Sequence, residues 1–367
     1  MKRRLSLFGL GLMTIACVRA SSTYAGPSSS ASLPSPVATS TAASPLAATT
    51  TAVPSLAPTA GTAASAIGQR ADGSELLYDP GAPASAQNPA FSPDGQTILF
   101  TLFHKGYNVG PAGLYFLSVN ERRRTVWMDD PDQDNVNSPG ASWNAVTGRI
   151  TFASDRSGTE QIWLALFDGR DLTRVTHRDE LPPYLLEPSI SPDGQWIVFE
   201  AARAAPNDQR QGSLWRVRPD GSGLMQLTDG PSGGTDDRQP NWSPVGDRIL
   251  FQRRIPGRDN WSLWTIASDG TNTRRVSLSL SGATDASWSP DGRWIVYSSD
   301  AGQLPAPKLF VISADGGAPI RLTHDAEHGD GAASWSPDGK WIAFESYRFG
   351  GQESPASLWR IAAPPLR

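Results

Sequence analysis

The chain has 367 residues, a formal net charge of −4 and a pI near 5.6. Removing Lys2, Arg3 and Arg4 leaves 29 basic against 36 acidic residues, a net −7 with no basic patch, which argues against nucleic acid or an anionic membrane surface as partner. A single cysteine excludes an internal disulfide, so the fold does not depend on oxidation.

Lys2, Arg3 and Arg4 precede an apolar run from Leu5 to Ala16. That run is too short to span a bilayer and fits the h-region of a secretory signal. Thr14-Ile15-Ala16-Cys17 is similar to the lipobox of bacterial lipoproteins, which implies that Cys17 is acylated and becomes the mature N-terminus. The alternative is ordinary secretion, with cleavage near Thr23-Tyr24-Ala25. Residues 1–17 therefore read as an export segment, and the membrane is met only through a lipid anchor. Residues 18–67 are almost entirely Ala, Ser, Thr and Pro from about Ser21 onward. Such a stretch has too little apolar surface to offset its ordering entropy and predicts a disordered tether of roughly 40 Å r.m.s. span.

Beyond residue 68 one pattern recurs six times. Apolar anchors stand at Phe91, Trp143, Ile190, Trp242, Trp288 and Trp335, at steps of 52, 47, 52, 46 and 47 residues. Seven residues after each anchor is an isoleucine, and nine after it an aromatic, as in Ile342 and Phe344. A period of this length marks a repeat architecture. Turns such as Ser336-Pro337-Asp338-Gly339 follow four of the anchors, with Pro presetting φ and Gly accepting a positive one. The Ile-x-aromatic strand comes next, then a strand with pairs such as Leu358-Trp359, an Asp-Gly turn, and a fourth strand ending like Gln226-Leu227-Thr228. Four antiparallel strands in each of six units predict an all-β, six-bladed propeller over residues 68–367. Repeat six lacks a fourth strand after Leu358-Trp359-Arg360-Ile361. Asp72-Gly73 and Glu75-Leu76-Leu77-Tyr78, ahead of repeat one, are expected to supply it and close the ring.

Eleven of the 13 tryptophans occupy repeat positions, so their expected role is blade packing rather than sugar stacking. Trp127 and Trp261 fall outside the register and are freer for a surface role.

Ser334-Trp335-Ser336-Pro337-Asp338-Gly339-Lys340-Trp341-Ile342-Ala343-Phe344 resembles the TolB-type, WD40-like β-propeller repeat, as does Phe152-Ala153-Ser154-Asp155-Arg156-Ser157-Gly158 followed by Gln161-Ile162-Trp163. The resemblance covers about residues 70–367 and implies fold more than function. Similar propellers occur in periplasmic proteins, ahead of the hydrolase domain of prolyl-oligopeptidase-type peptidases, and alone in envelope proteins. Repeats two and four depart from the pattern at Asn144-Ala145-Val146-Thr147 and Val245-Gly246, and a tether stands where the family's N-terminal α/β domain would be.

Chemistry is sparse. A hydrolase domain would need a Gly-x-Ser-x-Gly elbow on an α/β sheet, and none is expected in this chain. His324-Asp325-Ala326-Glu327-His328 fits the letter of an inverted zinc-peptidase signature but lies in a predicted inter-blade loop, where no helix aligns the two histidines. No metal or cofactor is expected. The candidate site is the channel mouth. Three residues before the anchors stand Asn88, Gly140, Glu187, Gln239, Asp285 and Ala332, with Asp236, Asp237 and Asp330 nearby. A net-acidic mouth built from Asn88, Glu187, Asp237, Gln239, Asp285 and Asp330 suits a cation, an amine or a basic peptide segment; its plain alternative is a water-filled channel with solvated carboxylates. The function expected is binding of another envelope or extracellular protein by a monomeric propeller, in the periplasm or at the cell surface. The alternatives are a channel-mouth lyase or hydrolase acting on polysaccharide, or a carbohydrate- or peptide-binding sensor.

Overall fold

The computed structural model describes residues 68–129, 137–177, 181–204, 210–255, 260–277, 282–301, 304–349 and 354–366. The expected export segment with Cys17, and the expected tether, lie outside them. The described strands are β1 (Glu75–Tyr78); β2 (Ser85–Phe91), β3 (Thr97–Phe103), β4 (Ala112–Ser118) and β5 (Arg124–Met128) of blade one; β6 (Asn137–Asn144), β7 (Arg149–Ser154), β8 (Gln161–Leu166) and β9 (Thr173–Arg174) of blade two; β10 (Tyr184–Ile190), β11 (Ile197–Ala204), β12 (Arg210–Val217) and β13 (Met225–Gln226) of blade three; β14 (Asp236–Trp242), β15 (Arg248–Arg254), β16 (Ser262–Ala267) and β17 (Arg274–Arg275) of blade four; β18 (Ala283–Trp288), β19 (Trp294–Ser299), β20 (Lys308–Ser313) and β21 (Ile320–Arg321) of blade five; and β22 (His328–Trp335), β23 (Trp341–Arg348) and β24 (Ala356–Ala362) of blade six. They form six antiparallel four-stranded sheets, a six-bladed propeller. Strand β1 pairs with β24, with Glu75 opposite Arg360 and Leu76 opposite Trp359, so the sixth blade takes its outer strand from the start of the domain.

The repeat residues build the core. Ile98, Ile150, Ile197, Ile249, Ile295 and Ile342 are fully buried, and Phe100, Phe152, Phe199, Phe251, Tyr297 and Phe344 are within 1% of it. Each contributes about 1.5–3 kcal/mol of apolar burial, counted against an extended chain. In the turns after the anchors, the serine hydroxyl donates to the Asp carboxylate two residues on (Ser336 to Asp338, 2.6 Å) and accepts the backbone N–H five residues on (from Trp341, 2.9 Å). Blade two replaces that device: Asn144 Oδ1 accepts from Thr147 N at 2.7 Å, and its Nδ2 donates to Ser191 O at 2.8 Å. The Thr or Ser closing each short outer strand also has a task. Thr176, Thr228, Ser277 and Thr323 accept the N–H of Ile162, Leu214, Leu263 and Leu309 at 2.9–3.0 Å. Adjacent blades are stitched at the anchors, where the Trp143 and Trp288 indoles donate to Ala90 O and Asn241 O, each at 3.0 Å.

Trp127 and Trp261 are not free surface. Trp127 packs edge-on against Phe152 at 5.5 Å, between blades one and two. Trp261 is half-buried between the guanidinium groups of Arg238 and Arg254, at 5.1 and 5.0 Å.

Candidate functional site

Every innermost strand carries a register shift just before its anchor, between Gln87 and Ala90 in blade one and at the matching place in the other five. At that shift Asn88, Gly140, Glu187, Gln239, Asp285 and Ala332 all adopt positive φ, between 46° and 89°. Left-handed backbone is rare outside glycine, and six copies at one register position mark a built feature of the channel wall. The six residues form a ring around the channel and line a cavity of about 420 Å³. Its rim is made by turn residues including exposed Pro93, Ala145 and Pro244, next to the exposed valines Val146 and Val245.

The ring is held by its own bonds. Gln239 Nε2 donates to Asp285 Oδ1 at 2.9 Å, and Asp285 N returns a bond to Gln239 Oε1 at 3.1 Å. Glu187 makes no hydrogen bond to a described residue. Its carboxylate lies across blade two because Gly140 has no side chain; a Cβ there would stand 1.9 Å from Glu187 Oε2. Gly140→Ala therefore displaces Glu187 and strains a φ of 89°. A loss of ~2 kcal/mol of stability is expected, read as a lower urea unfolding midpoint, together with weaker ligand binding.

A second repeat position, ten residues after the anchors on the second strands, holds the buried Glu200, Gln252 and Glu345. Sequence reading passed over it, although the same register argument predicts it. Glu345 Oε2 accepts from Asn88 N at 2.9 Å and Oε1 from the Tyr107 hydroxyl at 2.7 Å. Withdrawal from water, with Glu200 and Asp285 nearby, pushes the Glu187 carboxyl up to about 8. Burial pushes Glu345 up to about 7 against the bonds from Tyr107 and Asn88, and it raises Glu200 and Asp285 as well.

Of the residues expected at the mouth, Asn88, Glu187, Gln239 and Asp285 come together in the first ring. Asp237 and Asp330 do not. They stand five residues before their anchors, where Ala86, Leu185 and Ala283 pack between blades, and both are fully buried. Asp237 binds Arg253 at 2.6 and 2.8 Å, and Asp330 binds Arg70 at 3.0 Å. Asp236 likewise pairs with Arg238 and Arg254.

Two hydrolase-like motifs prove local. His324 Nδ1 lies 3.0 Å from Leu322 O and His328 Nδ1 2.9 Å from Asp325 Oδ1, without a helix. Gly230-Pro231-Ser232-Gly233-Gly234 fits the letter of Gly-x-Ser-x-Gly, a match missed in the sequence, but it forms a short 3-10 turn whose exposed Ser232 hydroxyl donates to Asp229 O at 2.8 Å. Among the described residues, no group of three or more His, Cys, Asp or Glu could hold a metal ion. None of their helices is long and apolar enough to cross a membrane.

Comparison with known proteins agrees with this architecture. The uncharacterized protein Atu1656 of Agrobacterium fabrum is 29% identical over 175 residues, 44% of this chain and 55% of that protein. A protein TolB homolog of Chlorobium luteolum is 30% identical over 169 residues, 44% of this chain and 34% of that protein. The matched stretch thus spans about half or less of these relatives. The solved structure of an oligogalacturonate lyase from Vibrio parahaemolyticus superposes with a TM-score of 0.53 at 14% identity, covering 82% of this chain and 96% of that one, a likeness of fold alone. The family model of the TolB beta propeller domain matches residues 81–282, more than half of the chain, and the protein belongs to that family.

Proposed function

We propose that this protein is an exported, lipid-anchored propeller that serves as a protein-binding receptor or scaffold of the cell envelope, taking a cationic group of its partner into the channel. One observation carries the reading: a 420 Å³ cavity whose floor is polar and carboxylate-bearing and whose rim is apolar. Protein interfaces concentrate their energy in a few anchors seated in desolvated pockets and ringed by near-neutral contacts. Here the rim prolines and valines supply the apolar contact, and Glu187 and Asp285 supply the charge for a lysine, an arginine or an amino terminus. The similarity to a TolB homolog and the export segment with Cys17 favour an anchored envelope protein, periplasmic or at the cell surface.

Cross-linking the tagged full chain in native envelopes tests this. One dominant protein partner is expected, and Glu187→Gln with Asp285→Asn should weaken its binding by at least ~10-fold, since truncating a desolvated charge pair costs about 2–5 kcal/mol. Unchanged affinity rejects the site. Capture of no protein moves the function toward a glycan or small-molecule ligand.

A further inference from the structure

Behind the ring lie two buried carboxylates. Glu200 and Glu345, on the second strands, are only 2% and 4% exposed. The cover over Glu345 is the loop between β3 and β4, which crosses from blade one to blade six. Its Tyr107 hydroxyl donates to Glu345 Oε1 at 2.7 Å, and its ring lies 5.5 Å from that of Tyr347. The base of the loop is tied, with His104 N donating to Pro111 O at 3.1 Å and the His104 ring 3.0 Å from Asp129, and only its tip rests on long bonds. Lys105 N donates to Val109 O at 3.4 Å, Val109 N to Gly106 O at 3.2 Å, and Asn108 is left-handed at a φ of 57°. Long backbone bonds at a tip where Lys105 and Val109 are exposed open at low cost. Meanwhile that second position holds acceptors in excess: among the described residues Glu200 Oε1 and Gln252 Oε1 are buried without a hydrogen-bond partner.

We propose that Tyr107 is a stopper that closes the channel at its loop end, and that a cation entering from the turn end competes with the Tyr107 hydroxyl for the Glu345 carboxylate. This rests on the cavity being a receptor for a cationic group. Two consequences follow from the geometry. A channel stopped by Tyr107 takes a single end group, a primary ammonium on a short stem, rather than a chain threaded through it. Occupancy also frees the loop tip over residues 105–109, so binding at one face is signalled at the other.

Tyr107→Phe keeps the ring against Tyr347 and removes only the donor. Two measurements on the full chain, with n-butylammonium as the probe, test the idea. Amide exchange of Lys105 and Val109 should quicken roughly 10-fold in Tyr107→Phe without probe, and in the wild type when probe is added. Affinity for n-butylammonium, read by ligand-observed NMR, should rise roughly 5-fold in Tyr107→Phe because the competitor is gone. Unchanged exchange in the variant overturns the stopper. Quicker exchange with equal affinity in both proteins overturns the competition while the receptor site stands. Failure of either protein to bind n-butylammonium overturns the competition and, separately, the receptor reading.

Discussion

Deleting residues 68–80 should lower the melting temperature by about 10–20 °C, because the loss reaches several kcal/mol and a domain of this size moves about 2–4 °C per kcal/mol. Strand β1 is the outer edge of blade six, and Leu77 on it is 3% exposed. Its burial contributes about 1.5–3 kcal/mol. Glu75 accepts two bonds from Arg360, at 2.9 and 2.7 Å. The largest contribution is Arg70, which donates to Asp330 at 3.0 Å and Ser346 at 2.7 Å and stacks 3.9 Å over Trp359. Asp330 is fully buried, so the deletion strands a carboxylate without its cation. Orphaning one member of a buried pair costs about 3–5 kcal/mol. Asp330→Asn placed in the deleted protein should recover part of the loss, which separates the orphaned charge from the missing strand. Calorimetry of the three proteins decides it; an unchanged melt in the deletion refutes closure by β1.

Fold and site were legible to different degrees, for physical reasons. Anchor, isoleucine and aromatic recur because each blade must present the same apolar faces to its neighbours, so Ile98 and Ile342 read alike from either end of the chain. The ring was legible for the same reason: counting back three from Phe91 or Trp288 lands on Asn88 and Asp285 without knowledge of the backbone. What the count hides is the left-handed turn at that position, which breaks strict alternation. Asp237 and Asp330 looked like mouth residues because they are acidic and close in sequence, yet five before the anchor is an interface position. Their partners, Arg253 and Arg70, lie 16 and 260 residues away, and no local pattern announces the second of these. Glu200 and Glu345 were missed for the opposite reason: the repeat shares its spacing there but not its chemistry, with Thr101, Ala153 and Ser298 at the equivalent places.

Stability should fall as pH rises from 5.5 to 8.5, by about 3 kcal/mol once cavity water is allowed for, and Glu187→Gln should flatten that slope. The sign follows from where protons bind. In the unfolded chain a glutamate titrates near about 4.3. In the folded state Glu187 is pushed up to about 8 and Glu345 to about 7. Between those limits the folded state holds more protons, so the stabilisation is complete below about pH 4 and lost as pH climbs through 7 to 8. Turn aspartates work in the other window. Burial opposes ionisation of Asp291, but its bonds from Ser289 and Arg293 hold it at about 2, so its contribution is lost only as pH falls below about 4. Urea unfolding at pH 5.5, 7 and 8.5 separates the two groups. A cation in the channel reverses the upper limb, since it favours the ionised carboxylates that otherwise repel one another. Affinity for n-butylammonium should therefore rise with pH between 6 and 8.5 while the empty protein loses stability. An affinity flat across that range, or a Glu187→Gln protein with the wild-type slope, would remove the channel carboxylates from both accounts.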